Sequence, residues 1–275
     1  MTFARKFHTF GFNLHSAITL LIVGMASVFV ADRSVEAKAS NGERATIVLV
    51  HGAFAGSSSW NGVVQKLVAK GYPVIAVANP LRSIKGDAAY VASLVKSIPG
   101  PVVLVGHSYA GAVISNAAEG QSNVKGLVYV TGFAADVGES PSDLAGKFPG
   151  ATLGPAIAPA VPLPDGSKDL YIDRAKFHAQ FAADLSAEDA AVMAATQRPI
   201  TESALNEASA AAAWKTIPSW FIYGSLDRNI PAAANAFMAD RAHSRKTVEV
   251  KGASHVVMVS HADAVAALIE EAAAY

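Results

Sequence analysis

The chain has 275 residues, room for one large α/β domain or two small ones, with 52% hydrophobic residues, 16% charged residues and a formal net charge of zero. That balance suits a well-buried globular core, and without a basic patch or an acidic run it excludes nucleic acid as an expected partner. The absence of cysteine excludes a thiol nucleophile, thiolate metal sites and disulfides.

Arg5 and Lys6 precede an uncharged stretch whose apolar centre is residues 17–31, and Ala37-Lys38-Ala39 stands before Ser40. A positive start, a short apolar middle and an A-x-A end predict a secretory signal peptide over 1–39, although Val35-Glu36-Ala37 also fits a cleavage site. The apolar middle is shorter than the roughly 20 residues that span a bilayer comfortably. An exported protein, periplasmic or secreted, with no stable membrane partner after cleavage is the expectation. Fold reasoning therefore covers 40–275.

Residues 46–50 (TIVLV) predict the first strand, which runs into His51-Gly52-Ala53-Phe54-Ala55-Gly56. This loop lacks the GK[ST] ending of a phosphate loop and the spacing of G-x-G-x-x-G, so nucleotide binding is not expected. A His-Gly turn after a strand has another use, because it aims a backbone N–H, here that of Ala53, at an acyl oxygen. A plain turn is the other reading of the loop. Phe54, next in the chain, is the expected substrate-binding residue.

A helix is predicted over 57–70, with Trp60, Val63, Val64, Leu67 and Val68 on one face, and Gly71 ends it. A strand over 72–78 stops at Asn79-Pro80, and 86–98 predicts a second helix. The β-branched run 102–105 then leads to Gly106, His107, Ser108, Tyr109, Ala110 and Gly111, followed by a small-residue helix over 112–118. Strand, tight glycine turn with a central serine, then helix is the pattern of a nucleophile elbow. The turn needs small flanks because a Cβ there collides with strand or helix. The match to G-x-S-x-G is imperfect, since Ala110 stands where the second glycine belongs and Gly111 follows it. A strand at 124–131 comes after the elbow helix. Alternating strands and helices, with strands apolar on both faces, predict an α/β fold with a mostly parallel, doubly wound sheet.

Residues 134–217 break that rhythm. Six prolines between Pro141 and Pro164 mark an irregular stretch, and helices are predicted near 170–182, 187–195 and 202–214. Ser186 with Asp189 resembles a capping box for the second of these. The segment reads as an inserted helical lid that excludes water and shapes a pocket. Phe148, Leu153, Ile157, Leu163, Tyr171, Phe177, Phe181 and Met193 are its candidate pocket residues, although any one of them serves equally well as lid packing. Regularity returns with a strand at 219–224, a helix over 232–242, a strand at 247–250 and a closing helix over 261–274.

A serine hydroxyl is a weak nucleophile. It needs a neutral imidazole to take its proton and a carboxylate to fix that imidazole's tautomer. In doubly wound proteins, sites collect just past the carboxyl ends of strands. Ser108, Asp227 and His255 lie there in the order expected of this architecture. His51 and His107 read as structural residues beside the loop and elbow, His178 falls in the lid, His243 at a helix end and His261 at a helix start. Only His255 follows the final strand on a short loop. Asp227 follows its strand more tightly than Asp136 or Glu139 follow theirs, but those two form a second place for the acid. No HExxH spacing occurs, and His255 and His261 do not share one helix face, so no metal and no cofactor are expected.

The pieces HGAFAGSSSW, GHSYAG, FAADLSAEDAAVMAATQRP, YGSLDRNIP and GASHVVM, spread over about 46–274, resemble the α/β-hydrolases. They most resemble the small-lid branch of plant methylesterases, hydroxynitrile lyases and bacterial esterase relatives. The resemblance implies Ser108 as nucleophile, His255 as base, Asp227 as acid, and an oxyanion hole from the N–H groups of Ala53 and Tyr109. The implied activity is cleavage of a small-molecule ester. Rival readings on the same fold are a lyase, a cofactor-independent oxygenase or perhydrolase, and a non-catalytic binding module. Hydroxynitrile lyases of this branch usually carry lysine directly after the histidine, where this sequence has Val256. Relatives that cleave haloalkanes or epoxides use aspartate at the elbow, where this sequence has Ser108.

Overall fold

A computed structural model describes residues 44–275; the expected signal peptide at 1–39 lies outside them. The first strand β1 (Thr46–Val50) is buried along its length and ends at the glycine loop. A short 3-10 turn (Ser57–Trp60) leads into α1 (Asn61–Ala69), then β2 (Val74–Val77) and α2 (Ile84–Ser97). Helix α2 begins where Ser83 Oγ accepts from the Gly86 N–H at 2.9 Å, so a side chain satisfies a donor that the first turn leaves free. Strand β3 (Val102–His107), α3 (Ala110–Ala117) and β4 (Val124–Val130) follow.

Between β4 and the next sheet strand lies the lid. It holds α4 (Pro141–Gly146), two strand pieces β5 (Val161–Pro162) and β6 (Lys168–Leu170), α5 (Arg174–Phe181), α6 (Ala187–Thr196), β7 (Ile200–Thr201) and α7 (Glu202–Asn206). The chain returns through β8 (Ser219–Gly224), α8 (Ala232–Arg241), β9 (Lys246–Val250), α9 (Val257–Ser260) and α10 (Ala262–Ala274).

The main sheet has six strands, all parallel, in the order β2-β1-β3-β4-β8-β9. Helices α1 and α10 pack together against it, as do α2 and α3. The central strands are continuous apolar runs because both of their faces are covered. Trp60, Trp220, Tyr129 and Phe221 are fully buried there, each worth roughly 1.5–3 kcal/mol of hydrophobic stabilisation. Parallel strands put all their carboxyl ends on one rim, so the loops after β1, β3, β8 and β9 converge.

Three pieces of the lid form a small antiparallel sheet, β5-β6-β7, that the hydrophobic pattern does not announce. The lid helices differ from expectation as well. The predicted helix over 202–214 is only α7, followed by an extended turn. Asn116 of α3 is the physical reason, since its Oδ1 accepts from the N–H groups of Ala210 (3.0 Å) and Ala211 (2.9 Å). Those bonds hold an alanine run open that would otherwise coil. Helix α5 starts later than predicted because Leu170 is taken into β6 and Asp173 caps the helix instead, accepting from the Ala175 N–H at 2.9 Å.

The lid is tied down by polar contacts at its edges. Glu207 accepts from the N–H groups of Ile84 (2.5 Å) and Lys85 (3.1 Å) at the positive end of α2. Arg82 pairs with Asp169 at 2.6 Å, and the Phe54 N–H donates to the Arg198 carbonyl at 2.9 Å.

Candidate active site

Ser108 sits at the tip between β3 and α3 with φ +55°, a left-handed conformation that costs a residue with a Cβ roughly 1–2 kcal/mol. Its surroundings leave no alternative path for the chain. A Cβ on Gly106 would stand 2.6 Å from the Ala110 carbonyl oxygen, and one on Gly111 would stand 2.5 Å from the Phe133 nitrogen. The close approach after the serine therefore falls on Gly111, while Ala110 is fully buried with its methyl accommodated. That is why alanine is tolerated in the elbow. Gly52 does the same service for the loop after β1, where a Cβ would meet the His107 carbonyl at 2.6 Å and Ser108 Cβ at 2.7 Å.

His255 follows β9 and is 1% exposed. Its Nδ1 donates to Asp227 Oδ2 at 2.7 Å, and its Nε2 is buried with no hydrogen-bond partner among the described residues. Asp227 is itself fixed, since its Oδ1 accepts from the N–H groups of Asn229 (2.7 Å) and Ile230 (3.0 Å). Gly224 lets this turn approach the histidine loop, because a Cβ there would overlap the carbonyls of Ala253 and Ser254. The carbonyl of His255 is held by Thr131 Oγ1 (3.0 Å) and His107 Nε2 (3.1 Å).

The loop after β1 is pinned by His51. Its Nδ1 donates to the Gly52 carbonyl (2.9 Å) and its Nε2 accepts from the Asn79 N–H (3.1 Å), while Asn79 Nδ2 donates back to the His51 carbonyl (3.0 Å). Burial pushes the His51 pKa down to about 4, so the ring is neutral. In this loop the Phe54 amide is committed to Arg198, whereas the Ala53 amide, like that of Tyr109 in the elbow, donates to no acceptor among the described residues. The Tyr109 hydroxyl donates to Asp87 Oδ2 at 3.0 Å, which anchors the elbow to α2. Burial raises the Asp87 carboxyl above its ordinary range, and it raises the Tyr109 phenol too.

Ser108, His255, Ala53 and Phe54 line one cavity of about 60 Å³. Of the lid residues expected there, Leu153 and Phe181 line it. Phe177 packs behind Phe181 at 5.0 Å between ring centroids, and Phe148 packs on Phe237 at 5.5 Å. Tyr171 and Met193 line other clefts, Ile157 bridges to Ile172, and Leu163 sits in the turn between β5 and β6. Phe133, Ala145, Leu205, Asn229 and Ile230 also line the cavity and carried no sequence signal beyond their hydrophobicity or their place beside Asp227.

The second place for the acid is elsewhere. Asp136 pairs with Lys215 at 2.5 Å in an open cleft of about 760 Å³ with Trp214 and Arg245. The Lys215 ammonium holds its carboxyl below the ordinary range. Glu139 takes two bonds from Arg241, at 3.0 and 2.6 Å, and is lowered likewise. Among the described residues, no group of three or more His, Asp or Glu side chains converges to hold a metal ion.

An elbow serine, a buried histidine–aspartate pair and a free-amide loop on the carboxyl rim of a parallel sheet point to one family. The model of that family, described as the alpha/beta hydrolase family, matches residues 47–268. The chain belongs to the alpha/beta hydrolase family. Among family relatives, it is 26% identical over 246 residues to the alpha/beta hydrolase nvfD of Aspergillus novofumigatus, covering 82% of this chain and 96% of that one. It is 27% identical over 235 residues to the alpha-hydroxynitrile lyase of Arabidopsis thaliana, covering 78% and 91%. In fold it is similar to polyneuridine aldehyde esterase, with a TM-score of 0.72, 20% identity and coverage of 83% of this chain and 99% of that one.

Proposed function

We propose that this alpha/beta hydrolase cleaves carboxylic esters through an acyl intermediate on Ser108. The observation that carries the reading is the 2.7 Å bond from His255 Nδ1 to Asp227, with Nε2 of the same ring unpartnered in the cavity that Ser108 lines. Ser108 Oγ attacks the ester carbonyl carbon, and its proton passes to His255 Nε2. The carbonyl electron pair moves onto oxygen, where the N–H groups of Ala53 and Tyr109 and the start of α3 stabilise it. Collapse of that intermediate breaks the bond to the alkoxide, which takes the proton from Nε2 and leaves as the alcohol. Water then gives a proton to Nε2 and attacks the acyl carbon. Ser108 departs with that proton, and the carboxylic acid is released. Asp227 fixes the tautomer and stabilises the imidazolium.

A lyase reading deserves weight because one relative is a hydroxynitrile lyase. Two observations favour ester cleavage. Val256, directly after the histidine, is buried and uncharged, and among the described residues no Lys, Arg, Asp or Glu side chain lines the cavity. A cyanide leaving group would find no fixed cation there among the described residues, only the His255 imidazolium formed during the reaction, while an acyl group needs none. The similarity to an esterase fold supports the same choice. We further propose that the enzyme is exported and that residues 1–39 are removed.

The test is intact-mass analysis after incubation with a fluorophosphonate, with digestion to locate the adduct, run beside p-nitrophenyl acetate turnover. A single adduct on Ser108 together with turnover supports the reading. An unlabelled protein that releases cyanide from a cyanohydrin overturns it in favour of the lyase, and an unlabelled protein without turnover overturns it in favour of a binding role.

A further inference from the structure

Phe54 lines two spaces at once. On one side is the 60 Å³ cavity at Ser108. On the other is a groove of about 340 Å³ between lid helix α6 and the first turns after β1. Its lining mixes the apolar Phe54, Val192, Met193 and Val259 with the polar Ser58, Asn61 and Thr196. Phe54 is 3% exposed and has φ +59°, strain that a side chain keeps only where its surroundings force it. Its ring stands edge-on to Phe181 at 6.1 Å, and its N–H is held by Arg198 just beyond α6. One side chain, locked to the lid, is thus shared by the two spaces.

The two volumes differ in what they hold. The inner cavity is several times smaller than the groove and suits the smaller part of an ester. The groove falls within the range of ligand sites, roughly 300–1,000 Å³. They also differ in access, since Val192 is 60% exposed and Val259 36%, whereas Ser108 and His255 are buried. In acyl transfer the alcohol leaves first, and water must then reach an acyl group that stays in place. The alcohol belongs on the open side, and the acyl group on the enclosed one.

We infer that the groove between α6 and the loop after β1 is the subsite for the leaving alcohol, and that Phe54 is the residue at which it meets the acyl cavity. The inference rests on the ester-hydrolase reading. Asp189 is the one charged residue among the described residues that line it, and polar and apolar side chains share the rest, so the groove takes an uncharged alcohol such as an aryl one rather than one that carries an anionic group.

The experiment compares two substrate series in the wild type, Val192→Trp, Thr196→Trp and Phe54→Ala. The alcohol series is methyl acetate against 2-naphthyl acetate, and the acyl series is methyl acetate against methyl hexanoate. Fluorophosphonate labelling of each protein reports separately on Ser108. Val192 and Thr196 are exposed, so tryptophan fills the groove without disturbing the core. Expected is a drop of about tenfold in the naphthyl-to-methyl ratio of kcat/KM for both tryptophan variants, the scale of a filled hydrophobic pocket. Their acyl ratio stays as in the wild type, and Phe54→Ala raises the hexanoate-to-acetate ratio. An unchanged alcohol ratio in labelled, active variants overturns the subsite while leaving the esterase intact. A drop confined to the acyl ratio overturns the assignment of the two spaces. A wild type that neither labels nor hydrolyses overturns the esterase reading itself.

Discussion

His107 Nε2 donates a hydrogen bond to the backbone carbonyl of His255, 3.1 Å away, and the two imidazole centroids are 4.8 Å apart. The residue before the elbow serine therefore holds the loop that carries the histidine. Nε2 must bear the proton, because a carbonyl oxygen only accepts. Burial keeps the His107 pKa well below the ordinary histidine value, so the ring stays a neutral donor. His107→Phe keeps the ring and loses the donor. The expected result is a fall in kcat of about tenfold with KM little changed, the cost of one buried hydrogen bond. Steady-state kinetics with p-nitrophenyl acetate checks it, with a thermal melt to show the variant folded. Unchanged kcat would mean that Thr131 alone suffices to hold the carbonyl.

Asp227 and Asp136 both follow sheet strands, but only Asp227 touches His255. Asp227→Asn places an amide against Nδ1 and favours the wrong tautomer. Turnover should fall by about 10³–10⁴-fold, the scale seen when such an aspartate is replaced. Asp136→Asn removes one half-exposed ion pair with Lys215 and should change turnover less than about twofold. Assaying both variants side by side is sufficient, and the opposite ranking would relocate the acid.

The sequence revealed the sheet because its strands are buried on both faces and read as unbroken apolar runs. It placed Ser108, Asp227 and His255 just past strand ends, and the structure has them there, with His255 bonded to Asp227. It concealed the lid. There the outcome depends on single long-range contacts, such as Asn116 opening the alanine run at Ala210 and Ala211. Helix α4 was legible in principle. Ser140 and Asp143 form a reciprocal capping box, with Pro141 at the first helical position. The surrounding prolines masked that signal. Leu205 and Phe133 reach the cavity only through the course of the lid, which no local pattern encodes.

Ser108 occupies a left-handed position, and in the proposed mechanism its hydroxyl is the nucleophile, so stability and activity should part there. Ser108→Ala removes the hydroxyl and keeps the strained Cβ. Ser108→Gly removes both. Glycine relieves a penalty of roughly 1–2 kcal/mol and loses part of it again to unfolded-chain entropy, which leaves Ser108→Gly more stable than Ser108→Ala by up to about 1 kcal/mol. Neither variant should take the fluorophosphonate label. Urea denaturation of the two proteins measures the difference, and equal midpoints would show that the strain at φ +55° is no larger than the entropy cost of glycine, roughly 0.5–1 kcal/mol.

His51 should make the fold sensitive to acid. Its pKa is about 4 when folded, against 6.5 for the free side chain. Between those values the unfolded chain binds a proton at this residue and the folded chain does not. Stability therefore rises with pH through that window and is lost as pH falls from about 6.5 towards about 4. The full effect is on the order of 3 kcal/mol at 1.36 kcal/mol for each pKa unit. Protonation would also take Nε2 from the Asn79 N–H, freeing the loop that carries Ala53. His51→Gln offers the loop an uncharged donor and acceptor in place of the ring. It should be less stable than the wild type at neutral pH yet lose less on acidification. Urea midpoints at neutral pH and at about pH 5 decide the matter. Parallel losses in both proteins would assign the acid sensitivity elsewhere, with buried His107 next in line because burial lowers its pKa as well.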